Sequence, residues 1–131
     1  MNNIIREVLE DIPAILAGNK EKLIEDAEKL GKYLANNNLS ASQIRNIFSE
    51  VKRMKRYEES KNDLLLLKPK LAYIAGRHGK WQHGQLVGPV PVLSRVLTRC
   101  IDNIKDGTTF ENFKDFFEAI LAYHRYYGGK E

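Results

Sequence analysis

Residues 110–124 read FENFKDFFEAILAYH, and the large apolar side chains in this stretch return every three or four residues. They are Phe110, Phe113, Phe117, Ile120 and Leu121, with His124 at the next step. This spacing puts them on one face of an α-helix. Residues 23–34, 44–54 and 93–104 repeat the period, and no segment alternates apolar and polar residues in the manner of a strand. The sequence therefore predicts an all-α protein, a compact bundle of about five to six helices.

Length and composition favour a single domain. The 131 residues are 43% hydrophobic and 29% charged, which fits one helical domain over residues 1–131. Cys100 is the only cysteine, so a secreted scaffold held by intramolecular disulfides is excluded. The longest apolar run, residues 64–67, is far too short for a membrane span, and the first residues lack the features of a signal peptide. We therefore expect a cytoplasmic protein that does not enter a membrane.

Capping signals predict two helix starts. Ser40 and Gln43 form a capping box, in which each side chain bonds the other residue's free amide, so a helix is expected to begin near Ser40. Gly107 is expected to end another helix in the left-handed conformation. Thr108 and Glu111 then form a second box that opens the last helix.

Prolines and glycines predict the interruptions. Pro13 and Pro69 lie inside helical patterns, where each removes a backbone hydrogen bond, so kinks or helix breaks are expected there. Residues 76–91 hold four of the nine glycines and two of the four prolines. We expect this stretch to be a connection rather than a regular helix, and a connection this long is usually functional or disordered.

Positive charge is concentrated in the middle third of the chain. Residues 1–42 have 5 basic and 7 acidic groups, net −2; residues 43–85 have 10 and 4, net +6; residues 86–131 have 6 and 6, net 0. These sums give the overall charge of +4. The asymmetry predicts one electropositive surface rather than an evenly charged particle.

The helix expected from Ser40 carries most of this charge. On a helical wheel Arg45, Lys52 and Arg56 fall within about 40° of one another, opposite the apolar positions. Arg53 widens the resulting stripe, which would run about 16 Å along the helix. A row of cations with few interleaved acids is typical of a surface that follows a phosphate backbone.

Further basic residues follow beside an aromatic ring. They are Lys68, Lys70, Arg77, His78 and Lys80, next to Trp81. A base of single-stranded nucleic acid could stack on Trp81 while its phosphates meet the cations. A lone tryptophan is more often an anchor of the hydrophobic core, however, and Trp81 is interpreted mainly in that way.

Candidate catalytic groups are few. Arg77 and His83 have the spacing of the helical HEPN ribonucleases, which this stretch resembles only weakly because neighbouring glycines favour a loop. His78 and His83 lack nearby Cys, Asp or Glu residues to complete a metal site. Cys100 and His124 fall on apolar faces and are interpreted as core residues. The sequence therefore predicts no enzyme activity, no metal and no cofactor.

Three blocks together resemble a known family. Residues 43–48 (QIRNIF), 67–77 (LKPKLAYIAGR) and 113–124 (FKDFFEAILAYH) are similar to the small subunit of type III-A CRISPR–Cas effector complexes, the Csm complexes. The resemblance implies an all-helical, non-catalytic protein that acts in antiviral defence. It also implies several copies stacked beside the backbone subunits, with basic surfaces on the phosphates of guide RNA and target RNA. The partners implied are those RNAs, other effector subunits and copies of the same chain.

The predicted RNA-binding residues have two sources. The family pattern implies Arg45, Lys68, Lys70 and Arg77. The helical wheel adds Lys52, Arg53 and Arg56.

Two other functions remain open at this point. One is a helix-turn-helix DNA-binding regulator, because a helix, the turn at residues 36–39 and a basic helix follow one another. Against it, the basic face has no Asn or Gln in a clear base-reading position. The other is the HEPN-like ribonuclease.

Overall fold

Six α-helices and one short β-hairpin make up residues 3–131, the part of the chain that this computed structural model describes. The helices are α1 (Asn3–Ala17), α2 (Lys20–Asn36), α3 (Arg45–Arg53), α4 (Tyr57–His78), α5 (Pro89–Asn103) and α6 (Gly107–Tyr126). A 3₁₀ turn (Ala41–Gln43) precedes α3, and strands β1 (Lys80–Gln82) and β2 (Gln85–Val87) lie between α4 and α5. The prediction of a mostly helical bundle is confirmed, whereas the hairpin was not expected. No helix in the described residues is long and apolar enough to cross a bilayer.

Helix α6 forms the centre of the bundle. Its apolar face is fully buried at Phe110, Phe116 and Ile120, and the helix packs most extensively against α2. The ring of Phe117 meets that of Phe48 edge-on, with centroids 5.1 Å apart. Side chains from all six helices join one core. The single domain over residues 1–131 stays a prediction, and residues 1 and 2 lie outside the described part.

Helices α2 and α6 approach each other closely at Gly31. A Cβ atom at this glycine would lie 2.7 Å from Tyr123 Cβ, 2.8 Å from the His124 nitrogen and 2.8 Å from the Ile120 oxygen. Two of these neighbours are backbone atoms, which cannot turn aside. Only glycine therefore fits at this crossing.

The predicted helix starts need one correction each. The capping box of Ser40 and Gln43 is present, but it opens the 3₁₀ turn, and α3 begins only at Arg45. The last helix is capped by Asp106, whose side chain accepts from the Thr109 amide at 2.8 Å, and not by the predicted Thr108–Glu111 pair. Gly107 is the first residue of α6 rather than a left-handed end of α5. Aspartate is a stronger cap than threonine, because its negative charge also interacts favourably with the positive end of the helix dipole.

Neither proline ends its helix. Pro13 lies within α1 and Pro69 within α4, so the expectation of breaks at these positions is wrong. Burial of the flanking side chains, such as Ile12 in α1 and Leu67 in α4, holds the helix through the lost hydrogen bond.

The glycine-rich stretch 76–91 is ordered. Helix α4 continues to His78, and His83 (φ 52°) and Gly84 (φ 76°) form a two-residue turn with both residues left-handed. This turn joins β1 and β2, with Trp81 opposite Leu86. Strands of three residues are too short to show an alternating pattern, which is why the sequence did not reveal them.

The C-terminal tail packs back onto the start of α3. Gly129 lies over the His124 ring so closely that no Cβ would fit there. The Ala41 amide donates to the Lys130 oxygen at 2.9 Å, and the Ser42 amide donates to the Glu131 oxygen at 3.1 Å. These bonds fix the tail beside the 3₁₀ turn.

Candidate nucleic-acid interface

Helix α3 carries only part of the predicted basic stripe. Arg45 and Lys52 lie two turns apart on one face of α3, as the helical wheel predicts. Arg56 is not on this helix, because α3 ends at Arg53 and Arg56 is the residue directly before the start of α4. The helix stops there because the backbone turns extended at Met54, whose side chain is buried in the core. The prediction of one continuous stripe from Arg45 to Arg56 is therefore wrong.

Arg45 and Lys52 of α3 face solvent with light contacts. The Arg45 guanidinium donates to the backbone oxygen of Glu131 at 3.4 Å. The Lys52 ammonium lies 5.4 Å from the centre of the Phe48 ring, a cation–π distance. Neither side chain has a carboxylate within ion-pair distance among residues 3–131. Their charges remain available to an anionic partner.

Helix α4 places its basic residues on two opposite sides. Lys70 and Arg77 are two turns apart on one face, next to α3. Lys70 pairs with Glu50 of α3 at 2.8 Å, and Arg77 donates to the Tyr73 hydroxyl at 3.5 Å. Lys68 is about 200° around the helix from Lys70 and pairs instead with Asp102 of α5 at 2.6 Å. Lys68 therefore belongs to the α4–α5 side of the molecule.

Arg53 has an acidic neighbourhood. It borders a pocket of about 390 Å³ that is also lined by Glu50, Glu59 and Asp63. These carboxylates lower the local positive potential. Arg53 is therefore less suited to phosphate than Arg45 or Lys52.

Three arginines outside the predicted set line a cleft beside the hairpin. Arg6 of α1 and Arg95 and Arg99 of α5 border a cleft of about 500 Å³, together with Glu10, Tyr33 and the residues of β2. None of the three has a carboxylate partner within ion-pair distance in the described part of the chain. Counting charge by thirds missed Arg95 and Arg99 because the last third is neutral in sum, and it missed Arg6 because the first third is acidic in sum. The signal for Arg95 and Arg99 was a run without Asp or Glu from residue 64 to residue 101.

The candidate nucleophile and the histidine of the last helix are core residues, as predicted. Cys100 is fully buried, and this burial raises the pKa of its thiol. His124 is 2% exposed, and its Nε2 donates to the Leu39 oxygen at 2.6 Å.

Arg77 lies in the last turn of α4 and His83 in the hairpin turn, so the two are on different elements. Among residues 3–131 no three His, Cys, Asp or Glu side chains gather as metal ligands.

The most perturbed carboxyl group lies away from these surfaces. Asp26 of α2 is 1% exposed, and its Oδ2 has no hydrogen-bond partner among the described residues. Burial first, and then the neighbouring Asp11 carboxylate, raise the pKa of Asp26 to about 7. A hydrogen bond from protonated Asp26 lowers the pKa of Asp11, which also pairs with Lys22 at 3.1 Å. The two carboxyls therefore share one proton below neutral pH.

Comparison with known proteins places the chain among components of type III-A CRISPR systems. The family model described as Csm2 Type III-A matches residues 17–130. The chain belongs to the Csm2 family, whose members are small subunits of type III-A effector complexes. It is also 28% identical over 122 residues to a curated Streptococcus thermophilus protein, "CRISPR system Cms protein Csm2", with 85% of this chain and 95% of that protein covered. No solved structure matches the chain.

Proposed function

We propose that the chain acts in the cytoplasm as a non-catalytic subunit that holds guide RNA and target RNA in the effector complex. The observation that carries this proposal is the presence of two exposed basic pairs on neighbouring helices. Arg45 and Lys52 form the pair on α3, and Lys70 and Arg77 the pair on α4. We refer to these four residues as the α3–α4 surface. Arg53 and Arg56 extend it at its margin, whereas Lys68 lies on the opposite side of α4, beside α5.

The arrangement suits phosphates better than bases. Within each pair the residues are separated by seven positions, or about 10 Å along the helix, so the cations meet a backbone at intervals. Phosphate contacts of this kind fix orientation without reading sequence. Lys70 is held by Glu50, so an RNA phosphate would have to compete with a carboxylate there.

The burial of the reactive groups supports a non-catalytic role. The Cys100 thiol is inaccessible, and burial keeps it protonated. The His124 ring is enclosed and engaged by a backbone oxygen. Neither group is placed to act on a substrate at the surface.

An exposed apolar strip on α4 supports association with another protein chain. It consists of Leu65, Leu66, Pro69, Ala72 and Tyr73, with both leucines 58% exposed. Lysines and an arginine flank the strip on the same helix. The outer face of α2 carries Glu21 and Glu25 beside Ile24, which is 46% exposed, and Lys29 and Lys32 follow on the same face. We infer that α2 of a second copy covers this strip.

Charge reversal tests the RNA contact. The variant Arg45→Glu, Lys52→Glu, Lys70→Glu and Arg77→Glu is expected to bind a guide–target RNA duplex at least tenfold more weakly, because four phosphate contacts are lost. Fluorescence anisotropy at several salt concentrations measures the affinity, and the salt dependence of the remaining binding should be shallower. Circular dichroism checks that the variant stays helical.

A matched control separates the surface from net charge. Lys20→Glu, Lys29→Glu, Lys32→Glu and Lys105→Glu change the net charge equally at positions outside the surface. Equal loss of affinity in both variants would contradict a defined RNA surface. Tight, salt-insensitive binding to one duplex DNA sequence would favour the helix-turn-helix regulator, and RNA cleavage abolished by His83→Ala would favour the ribonuclease.

A further inference from the structure

Trp81 is a large aromatic side chain left on the surface. It is 71% exposed and lies on β1 of the hairpin, so the interpretation as a core anchor is wrong. Within the described part of the chain no aromatic ring stacks against it and no cation lies over it. Most of the indole surface is therefore open to a planar partner.

The hairpin holds Trp81 in a defined place. Leu86, the cross-strand partner of Trp81, borders the clefts on both sides of the hairpin. A Cβ atom at Gly79 would lie 2.5 Å from Pro91 of α5 and 3.0 Å from Leu86. The base of the hairpin is therefore packed tightly against α5. A ring that is already positioned loses little conformational entropy on binding.

The two clefts beside the hairpin hold more cations than carboxylates, with Arg6, Lys68, Arg95 and Arg99 against Glu10 and Asp102. The run from residue 64 to residue 101 has six Lys or Arg and no Asp or Glu. Lys80 precedes Trp81 directly, and Arg95 and Arg99 border the clefts with Leu86. Phosphates on either side of a stacked base would find cations here.

The neighbours of Trp81 favour a nucleobase over a protein surface. Gln82, His83, Gly84 and Gln85 are all exposed and polar or small. A tryptophan that anchors a protein interface is normally surrounded by a rim that excludes water. Such a rim is lacking around the tip of this hairpin, whereas a base needs only an open ring face.

We propose that Trp81 stacks on an unpaired base of bound RNA, while Arg95 and Arg99 neutralise the adjacent phosphates. This inference rests on the proposed function, since it adds a single-strand contact to the α3–α4 surface. The hairpin then distinguishes unpaired RNA from duplex, a distinction that phosphate contacts alone do not make.

Fluorescence tests the contact directly, because Trp81 is the only tryptophan in the chain. Titration of the wild-type protein with a single-stranded 12-nucleotide RNA is expected to quench its emission by more than half. A duplex of the same length and inorganic polyphosphate, which offer phosphates without an unpaired base, should quench it much less. Binding of the single strand without quenching would overturn the proposal, and so would equal quenching by polyphosphate.

Substitution gives an independent measurement. Trp81→Ala is expected to weaken single-strand binding about tenfold and duplex binding less than twofold, since one base stack is lost. Trp81→Phe should keep most of the affinity, and Tyr126→Ala, which removes another exposed ring, should change neither. If Trp81→Ala binds like the wild type while charge reversal of the α3–α4 surface abolishes binding, stacking is wrong and the proposed function stands. If the wild type binds no RNA, both the stacking proposal and the proposed function are wrong. If the Trp81 emission shifts to the blue as the protein concentration rises, without RNA, Trp81 belongs to a protein contact instead.

Discussion

Asp26, which shares a proton with Asp11, makes the stability of the folded protein depend on pH. In the unfolded chain Asp26 titrates near its ordinary value of 3.8, whereas in the folded protein its pKa is about 7. Between these values the folded state binds a proton that the unfolded state has released. The stability from this group is therefore present below pH 4 and is lost as the pH rises through 7.

The substitution Asp26→Asn is expected to remove this loss of folding stability at higher pH. The side-chain amide introduced by this substitution can donate a hydrogen bond to Asp11 at every pH. The carboxyl group of Asp26 can do so only when it is protonated. The variant should match the wild type near pH 4.5 and be more stable at pH 8, by on the order of 2 kcal/mol. Urea unfolding followed by circular dichroism from pH 4.5 to 8.5 measures the difference. The exposed Asp63→Asn serves as control, and a parallel pH profile for wild type and Asp26→Asn would refute the shared proton.

At the residue scale the sequence is a better guide to burial than to exposure. Cys100 and His124 were placed correctly because a helical period marks the core face. Trp81 and Arg56 were placed wrongly, since a three-residue strand and an early helix end leave no periodic signal. The chosen RNA-binding residues remain a prediction. What the structure adds is which of them share a face.

Among the elements, the crossing of α2 and α6 depends on one glycine. Gly31→Ala is expected to destabilise the protein by about 2–3 kcal/mol, because its methyl group meets the backbone of α6. Gly76→Ala is the matched control: it lies in α4 with nothing within 4 Å of the added carbon, so it should stabilise by up to about 1 kcal/mol. Thermal unfolding compares them. A Gly31→Ala protein as stable as the wild type would show that the helices can move apart without cost.

Helix boundaries were predictable where a cap has a local partner. The box of Ser40 and Gln43 was found because both residues lie within four positions of each other. The continuation of α4 through Pro69 and Gly76 was not, because it depends on Leu67 and Leu71 packing against the rest of the core. Tertiary burial thus overrides two local helix-breaking signals.

For the whole molecule, the distribution of charge and apolar surface predicts self-association. If α2 of one copy covers the α4 strip of the next, the sedimentation mass should rise with protein concentration. Leu66→Glu is expected to keep the protein monomeric, because it places a charge in the apolar contact. Tyr126→Glu adds the same charge at an exposed ring outside the strip and should leave the mass unchanged. A wild type that sediments as a monomer at every concentration would exclude this contact.

The tail that packs on the 3₁₀ turn has a practical consequence for binding measurements. The Glu131 oxygen accepts from both Ser42 and Arg45, so residues fused after Glu131 would emerge beside the α3–α4 surface. If the proposed RNA contact holds, a basic segment fused there is expected to strengthen RNA binding by adding cations next to Arg45, and an acidic segment to weaken it. RNA-binding constants should therefore be measured without a charged segment fused after Glu131.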